Sequence, residues 1–486
     1  MNVAFVASEV VPFAKTGGLA DVAGALPKEL SKLKCNVKVF MPLYGSIKKQ
    51  NLKLNYVWSI GKIKLDIGGE VRNVEVWQIQ LKDSDVQVYF IDYPKFFKRK
   101  DFYTNSPDEH LRWILFNKAV IETIQRLQWS PDIIHLNDWQ GGLIPLYIKE
   151  NYNWDKFFQK TKTIFSIHNI GYQGLFPANI FNETEINSKH FYPTGPVEYY
   201  EKISLLKAGL VFSDLINTVS ETYAKEILTE EYGGGMHEIL NDRKSDLSGI
   251  VNGVDYEIWN PKTDPNIYKN YTSAKLSDKE INKEELLKEA GLPYNKTTPV
   301  IGMISRIVSQ KGYDILAEAL PELTKLDVQW VILGSGEKKY ERLMKKVARK
   351  FPDNVSIIIG YNDVLSHKIE AGADYLLMPS LYEPCGLNQI FSLKYGTIPI
   401  VRNTGGLADT VIDWDKSVEE KRNDGTGFVF DEYSGHALFK VIERAAVHFN
   451  NKKVWRSIQK NAMKKDYSWK ASAKKYIELY EKAIEK

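Results

Sequence analysis

The 486-residue chain is long enough for two or three domains, and its 43% apolar, 26% charged and 12% aromatic residues are typical of globular proteins. Its 65 basic and 61 acidic side chains leave a net charge of +4, which gives no electrostatic reason to expect a nucleic-acid or membrane partner. The only cysteines, Cys35 and Cys385, exclude a disulfide framework and a cysteine-based zinc site. The first apolar run, residues 3–7, has the length of a strand and not of a leader peptide or membrane span, so we expect a cytoplasmic protein.

Short apolar runs alternate with helical patterns in the first half of the chain, which is typical of βαβ units around a parallel sheet. Helices are predicted at residues 20–33 and 111–127. Residues 71–79 and 86–91 alternate in polarity and predict antiparallel strands appended to the main sheet. The buried strands of the main sheet are predicted at residues 3–7, 37–40, 133–136, 163–167 and 215–219.

The second half repeats this pattern after a polar stretch, residues 261–283, that contains no strand pattern. The stretch follows the turn-like sequence Asn252-Gly253-Val254-Asp255, so we place a domain boundary there. An amphipathic helix is predicted at residues 471–486. The buried strands of this half are predicted at residues 300–304, 329–333, 355–359, 375–378 and 398–401.

The six-residue sequence TGGLAD occurs twice, at residues 16–21 and 404–409, each time a few residues after a predicted strand and at the start of a helix. Two similar domains could each use a glycine turn at such a corner. We favour a second interpretation, in which unpaired amides at both helix N-termini bind an anion or a sugar hydroxyl. Lys15 precedes the first copy, but the order of residues is not that of a Walker A loop, and an exposed surface charge is the alternative.

Two basic residues, Arg306 and Lys311, follow the first predicted strand of the second half. Open α/β sheets bind ligands just beyond the carboxyl ends of their parallel strands. With no acidic residue between them, the two cations suit a diphosphate, which arginine meets as a planar fork and lysine as a point charge. The alternative is a pair of exposed surface cations.

Glu383 lies between a buried strand and a helix predicted to begin near Leu387. A carboxylate in this position is either a helix cap or a ligand-binding group. The Pro-Cys-Gly sequence that follows would bring backbone amides close to whatever Glu383 contacts. Cys385 has no cation or histidine near it in the sequence, so we interpret it as an inert small residue and not as a nucleophile.

His168 ends a predicted strand ahead of a glycine loop, and Asp138 lies beyond another strand end. No second histidine lies at metal-ligand spacing, so no metal site is predicted. Two Asp-x-Asp patterns are interpreted as structural: Asp83 with Asp85, and Asp413 with Asp415.

Taken in order, these motifs resemble one family, that of bacterial glycogen synthase and plant starch synthase, which is glycosyltransferase family 5. The resemblance extends along the whole chain. The motifs that carry it are KTGGL at 15–19, HN at 168–169, YQG at 172–174, NGVD at 252–255, WNP at 259–261, Arg306 with Lys311, EPCGL at 383–387, YGT at 395–397 and TGGLAD at 404–409.

The resemblance implies an α/β chain of the GT-B class, in which two Rossmann-like domains face each other across a cleft and a C-terminal helix crosses back to the first. The acceptor-side domain would be residues 1–253 together with the helix at 468–486, and the nucleotide-sugar domain residues 254–467. The implied reaction transfers glucose from ADP-glucose to the non-reducing-end 4-OH of an α-1,4-glucan, such as glycogen, starch or a maltooligosaccharide. Configuration is retained, and neither a cofactor nor a metal is required.

The same resemblance implies a role for each matching residue. Arg306 and Lys311 would hold the diphosphate, Glu383 would bind the glucose hydroxyls, and His168 would lie against the transferred sugar. Lys15 would meet the distal phosphate. The further substrate-binding residues would be Gly18, Asp21, Asp138, Asn252, Tyr361 as a platform for the nucleobase, Cys385, Gly386, Leu387, Thr404 and Gly405.

Because the motifs supply cations and sugar binders but no close pair of carboxylates, we hypothesise that the departing phosphate takes the acceptor's proton on the same face of the sugar. The wider superfamily often has Glu-x7-Glu, and the second acid is here Phe391, as is common in glycogen and starch synthases. Asn388 stands where bacterial relatives often have threonine.

Two alternatives remain open at this point. The first is a GT-B transferase that uses UDP-glucose, since no motif identifies the base. The second is a non-catalytic glucan-binding protein, for which the aromatic content is the argument. A plastid location would apply to a plant protein, although the sequence has no transit peptide.

Overall fold

Two large sheets, one mostly and one wholly parallel, organise the chain in the computed structural model, which describes residues 1–50 and 52–486. The chain divides into two compact units. Unit 1 comprises Met1–Val219, Ala224–Gly253 and Trp469–Lys486, and unit 2 comprises Ser220–Tyr223 and Val254–Ser468.

The main sheet of unit 1 has ten strands in the order β13-β12-β8-β7-β1-β2-β6-β5-β3, with β4 paired to β5. All pairs from β13 to β6 are parallel, and β3 and β4 pair antiparallel with β5. The small strands β9, β10 and β11 form a separate antiparallel sheet. The strands of unit 1 are β1 Asn2–Val6, β2 Asn36–Pro42, β3 Asn55–Tyr56, β4 Ile63–Ile67, β5 Glu70–Gln80, β6 Gln87–Asp92, β7 Ile133–Asn137, β8 Lys162–Ile167, β9 Leu175–Pro177, β10 Glu198–Tyr199, β11 Lys202–Ser204, β12 Leu215–Thr218 and β13 Leu247–Gly249.

One strand differs from the sequence prediction. Residues 86–91 were expected in an appended antiparallel hairpin, but β6 pairs parallel with β2 and belongs to the main sheet; only β5 and its further partners are appended. The physical reason is burial on both faces, since five consecutive residues of β6 are buried, and such continuous burial is typical of parallel strands. The alternation that predicts a half-exposed strand belongs to β4 and β5.

Helices cover the parallel part of the sheet in unit 1. α1 directs Leu19, Val22, Leu26 and Leu30 into the core, which is the spacing expected of an amphipathic helix. The helices are α1 Gly18–Lys32, α2 Gly45–Lys48, α3 Pro94–Phe97, α4 Glu109–Arg126, α5 Ile144–Glu150, α6 Leu205–Phe212, α7 Glu221–Glu226, which begins within Ser220–Tyr223 of unit 2, and α8 His237–Asp242.

Unit 2 contains one six-stranded sheet in the order β16-β15-β14-β17-β18-β19, and all its strands are parallel. The strands are β14 Val300–Ile304, β15 Gln329–Gly334, β16 Val355–Ile359, β17 Tyr375–Met378, β18 Ile398–Arg402 and β19 Phe428–Phe430. The helices are α9 Lys279–Ala290, α10 Tyr313–Leu323, α11 Lys338–Lys350, α12 Asp363–Gly372, α13 Asn388–Tyr395, α14 Gly405–Thr410, α15 Trp414–Glu419, α16 Gly435–Asn450 and α17 Lys452–Lys464.

The last helix, α18 Trp469–Glu485, packs on unit 1 against α1 and β8. A buried polar network fastens it there. The ring nitrogens of His135 lie 2.7 Å from the hydroxyl of Tyr480 and 2.7 Å from that of Ser166, and Asn217 donates to the hydroxyls of Ser166 and Tyr476. The C-terminal helix is therefore a component of the first unit's core.

Within residues 1–50 and 52–486, no helix combines the length and the apolar content that a membrane span requires.

Candidate active site

Each large sheet reverses its strand order at one point of its own, and in each unit residues singled out from the sequence follow strands near that unit's reversal. In unit 2 the chain lays down β14, β15 and β16 towards one edge and then returns to place β17 on the other side of β14. In unit 1 the same reversal separates β1 from β7. A crevice opens beyond the carboxyl ends of the strands at such a reversal, and ligands bind there in open α/β sheets.

In unit 2 the loop after β14 is fixed against the loop after β17. Gly312 has φ +81°, and a Cβ atom on it would lie 2.2 Å from the carbonyl oxygen of Pro379. The amide of Leu381 donates to the carbonyl of Gln310 at 3.0 Å, and the Gln310 side chain donates to the carbonyl of Tyr382 at 2.6 Å. The two loops therefore form one rigid surface.

A cation and a carboxylate meet on that surface. Lys311 Nζ lies 2.5 Å from Glu383 Oε2, and the hydroxyl of Ser380 donates to the same oxygen at 2.9 Å. Glu383 is buried, but its Oε1 accepts no hydrogen bond from any residue that the structure describes. Arg306 is exposed, and among the residues that the structure describes its guanidinium makes one long contact, of 3.5 Å, with Gln310. The cluster thus presents an available guanidinium, an ammonium and one carboxylate oxygen.

The second TGGLAD loop packs against the backbone of the loop that carries Glu383. Gly405 has φ +44°, and a Cβ atom there would lie 2.0 Å from the carbonyl oxygen of Glu383. The amide of Gly406 donates to the carbonyls of Glu383 and Pro384, at 3.1 and 3.2 Å. This differs from the expectation that both glycine loops present unpaired amides, because the Gly406 amide is already bonded to the Glu383 loop.

The remaining predicted residues of unit 2 lie around this cluster or on the same edge of the sheet. Cys385 and Thr404 are buried, and Gly386 (φ +71°) and Leu387 lie directly before α13. Tyr361 follows β16 and is 83% exposed, as a platform for a flat ring would be.

The departure at Asn388 has a structural explanation. Its side-chain amide donates to the carbonyl of Ile304, the last residue of β14, at 2.7 Å. Phe391, the other departure, stacks on Trp259 with ring centroids 3.9 Å apart and an interplanar angle of 4°.

In unit 1 the loop after β1 carries Lys15 and the first TGGLAD copy. Lys15 Nζ lies 2.7 Å from Asp21 Oδ1, with both side chains partly exposed. Gly17 has the extended φ of −150°, and a Cβ atom on Gly17 or Gly18 would meet nothing within 4 Å. The fold therefore requires glycine at neither position, and the space above both residues is open.

One residue of this loop was missed in the sequence. Glu9, 3% exposed, accepts hydrogen bonds from the amides of Thr16 and Gly17, the hydroxyl of Thr16 and that of Tyr103. Its place three residues after β1 is the only sequence signal that could have indicated it.

His168 and its neighbours form the second group in unit 1. His168 Nε2 lies 2.9 Å from Asn137 Oδ1, whose amide nitrogen donates to the carbonyl of Val6 at 3.0 Å, so Nε2 carries the proton. Burial lowers the pKa of His168 to about 4, so the ring is neutral near pH 7 and its Nδ1 can accept a hydrogen bond.

Asp138 orients His168 through its backbone amide. It has φ +56°, its Oδ1 accepts the amide of His168 at 2.7 Å, and burial raises its pKa to about 7. Asn252 is buried near the boundary, and its Oδ1 has no hydrogen-bond partner among the described residues.

The structural interpretation of the two Asp-x-Asp patterns is confirmed. Asp83 has φ +59° in the turn between β5 and β6. Asp413 caps α15, and Arg444 bridges Asp413 and Asp415 at 2.8 and 3.0 Å. In the described part of the chain, no three histidine, cysteine, aspartate or glutamate side chains come together in a way that could hold a metal ion.

Known proteins match this chain along its whole length. The family model described as starch synthase catalytic domain matches residues 2–242, and the model described as glycosyl transferases group 1 matches residues 284–465. Glycogen synthase of Thermosipho africanus is 45% identical over 491 residues, which is 100% of both chains. Glycogen synthase of Thermotoga maritima is 45% identical, over 100% of this chain and 99% of its own.

Solved structures give the same family and its fold. The catalytic domain of starch synthase IV from Arabidopsis thaliana, bound to ADP and acarbose, is 31% identical, with a TM-score of 0.89 over 100% of this chain and 99% of that one. Sucrose-phosphate synthase of Thermosynechococcus elongatus, 16% identical, shares the fold, with a TM-score of 0.59 over 99% and 98% of the chains. The chain therefore belongs to the glycogen synthase and starch synthase family and is a glycosyltransferase with the GT-B fold.

Proposed function

We propose that the chain transfers glucose from ADP-glucose to the non-reducing-end 4-OH of an α-1,4-glucan, with retention of configuration. The observation that carries the proposal is the cluster of Arg306, Lys311 and Glu383 at the strand reversal of unit 2. It combines two cations that suit a diphosphate with a carboxylate oxygen, Glu383 Oε1, that no described residue occupies.

The cations of this cluster stabilise the negative charge that develops on the diphosphate as its bond to glucose breaks. Lys311 is held in place by Glu383, so it needs little reorganisation when that charge appears. Arg306 is exposed and offers a planar fork to the phosphate oxygens. Glu383, with the amides of Cys385, Gly386 and Leu387, binds the glucose hydroxyls, and Thr404 and Gly405 line the same site.

The residues of unit 1 act on the same donor in this proposal. Lys15 and the amide of Gly18 meet the distal phosphate, with Asp21 beside them. The neutral His168 accepts a hydrogen bond from the transferred sugar through Nδ1, held in orientation by Asp138. Asn252, whose buried Oδ1 has no hydrogen-bond partner among the described residues, also binds substrate in this proposal.

Retention follows from attack on the face of the sugar that the leaving group departs from. As the bond between the anomeric carbon and the diphosphate oxygen breaks, an oxocarbenium-like state forms, and the acceptor's 4-OH oxygen bonds to that carbon on the same face. The departing phosphate takes the hydroxyl proton, so this mechanism needs no separate side-chain base. In this proposal Lys15, Arg306, Lys311 and the loop amides meet the charge on the diphosphate, and neither a metal nor a cofactor is included.

Adenine as the base is supported by the starch synthase IV structure, 31% identical, which is described as bound to ADP. Tyr361 offers an exposed ring at the edge of the unit 2 sheet, on which a nucleobase of either kind would stack. We also propose that the enzyme acts in the cytoplasm, because Cys35 and Cys385 are both free buried thiols.

The deciding experiment measures nucleotide release from ADP-glucose and from UDP-glucose, each with and without glycogen. Glycogen-dependent release of ADP and incorporation of glucose in the α configuration are expected. Faster release of UDP would contradict the donor assignment. Binding of glycogen without release of either nucleotide would indicate a non-catalytic glucan-binding protein.

A further inference from the structure

Glu9 is a buried carboxylate that the proposed reaction does not use. It follows β1 at the strand reversal of unit 1, where a ligand-binding crevice is expected. Its Oε1 accepts the hydroxyls of Thr16 and Tyr103, each at 2.6 Å, and its Oε2 accepts the amides of Thr16 and Gly17. Four donors on one carboxylate fix the glycine loop from beneath.

The carboxylate is itself held in place. The Tyr103 hydroxyl also lies 2.9 Å from the hydroxyl of Ser8, and Tyr44 donates to the Ser8 carbonyl at 3.0 Å. Burial raises the pKa of Tyr103 well above its usual value, so the phenol keeps the proton that it donates to Glu9.

These bonds decide which amides of the loop remain for a ligand. The amides of Thr16 and Gly17 are occupied by Glu9, whereas the amide of Gly18 has no partner among the described residues. Those bonds fix the peptide planes on either side of Thr16, and with them the direction in which the Lys15 side chain leaves the loop. The next plane, which carries the Gly18 amide, extends from this fixed segment, and its Gly17 carbonyl accepts the amide of Ala20 at 3.3 Å.

We propose that Glu9 is a positioning residue for the donor: it holds the loop Lys15-Thr16-Gly17-Gly18 in the conformation in which Lys15 and the Gly18 amide meet the distal phosphate. This inference rests on the proposed function, which assigns those two contacts. Glu9 does not touch the donor and acts only through the loop.

The test is Glu9→Gln, which keeps the size of the side chain but turns an NH2 group towards backbone donors. The KM for ADP-glucose is expected to rise about tenfold, the change that corresponds to the loss of one good contact. The KM for glycogen and kcat at saturating donor should change far less. An unchanged donor KM in the folded variant would overturn the inference.

Asp214→Asn is the matched control. Asp214 Oδ2 binds the amide and the hydroxyl of Thr163, at 2.7 and 2.8 Å, as Glu9 binds those of Thr16, but at the beginning of β8. Asp214→Asn should lower the melting temperature by about as much as Glu9→Gln does, and should leave the KM for ADP-glucose as in the wild type. Equal effects of both substitutions on donor KM would show that Glu9 is merely structural.

A double substitution tests the route of action. If Glu9 acts through the loop, Glu9→Gln should add little to the rise in donor KM that Gly18→Ala already causes. Full additivity would overturn the inference. Should Glu9→Gln fail to fold, Tyr103→Phe keeps the carboxylate and removes one bond, and a rise in donor KM of about threefold is expected; no rise would overturn the inference.

Calorimetric titration with ADP separates this inference from the proposed function. Weaker ADP binding by Glu9→Gln than by the wild type supports the positioning role, and equal binding overturns it. A wild-type chain that binds ADP but transfers no glucose contradicts the proposed function instead.

Discussion

The two TGGLAD loops have identical sequences and different structural reasons for their glycines. In the loop at 404–409, Gly405 has a positive φ and both glycines pack against the carbonyls of the Glu383 loop. In the loop at 16–21, neither Gly17 nor Gly18 has a positive φ, and both face open space.

The last residue of each copy differs as well. Asp21 pairs with Lys15 at the surface, whereas Asp409 accepts the amide and the hydroxyl of Thr222. One copy is thus an open surface that we assign to the donor, and the other supports a buried carboxylate. The same six letters do not imply the same role.

The largest expected effect is a difference between Lys311, which pairs with Glu383, and Lys15, which precedes the first loop. Lys311→Ala should lower kcat by about 100-fold to 1000-fold, because it removes a cation held next to the developing charge. Lys15→Ala should act mainly on the KM for ADP-glucose, because Lys15 is half exposed and bound only to Asp21 among the described residues. Steady-state kinetics with ADP-glucose and glycogen measure both. Equal losses of kcat would contradict the different roles, since both lysines would then stabilise the transition state.

Gly405→Ala should be the most destabilising change in either loop. An L-residue at φ +44° is strained, and its Cβ would lie 2.0 Å from the Glu383 carbonyl, so a cost of about 3 kcal/mol in the free energy of unfolding is expected. Urea unfolding monitored by circular dichroism measures it. A variant as stable as the wild type would show that the two loops tolerate side chains alike.

Gly18→Ala should separate function from stability. A Cβ there meets no protein atom, so the free energy of unfolding should change by less than about 0.5 kcal/mol. Because the same Cβ would enter the space we assign to the donor's distal phosphate, the KM for ADP-glucose should rise about tenfold. An unaltered donor KM would remove the phosphate assignment at this loop.

His168, which is neutral near pH 7, predicts a pH dependence of the chain's stability. Its pKa of about 4 in the folded chain lies below the ordinary value of 6.5, so the unfolded chain binds the proton first. The contribution of His168 to stability is therefore complete above pH 6.5 and is lost as the pH falls towards 4. His168→Gln should show a smaller drop in melting temperature between pH 7 and pH 4.5 than the wild type. An equal drop would contradict the lowered pKa of His168.

The smallest effects are expected at the two aspartates. Asp21→Asn breaks an ion pair that is 49% and 31% exposed, so the free energy of unfolding should change by less than about 1 kcal/mol. Asp409→Asn weakens its hydrogen bonds with the amide and the hydroxyl of Thr222, at 2.6 to 3.2 Å, and should cost more. Denaturant unfolding of both variants compares them, and the reverse order would contradict the structural difference between the loops.

The sequence predicts the sheets well, because buried parallel strands are continuous apolar runs. The predicted strand at residues 300–304 is β14, and the helix predicted at 111–127 is α4, Glu109–Arg126. β6 was assigned to the wrong part of the sheet, since residues 86–91 were interpreted as alternating although the strand is buried on both faces.

The site was predicted less completely, for reasons of distance along the chain. Lys311 and Glu383 were each recognised, but their 2.5 Å contact joins residues 72 positions apart. Glu9 was missed because its partner Tyr103 lies 94 positions away and because a lone glutamate after a strand carries no motif. The difference between the glycine loops depends on backbone angles and on neighbours that the six letters do not encode.

The network around His135 has a consequence for the synthesis of this protein. The hydroxyls of Tyr476 and Tyr480 complete hydrogen bonds inside the first unit, yet they are made after the whole of residues 254–468. During synthesis on a ribosome, unit 1 emerges first but can complete its core only after the last helix has been made. Until then, His135 and Asn217 lack these hydrogen-bond partners. A premature stop after residue 468 would thus damage the first unit and spare the second.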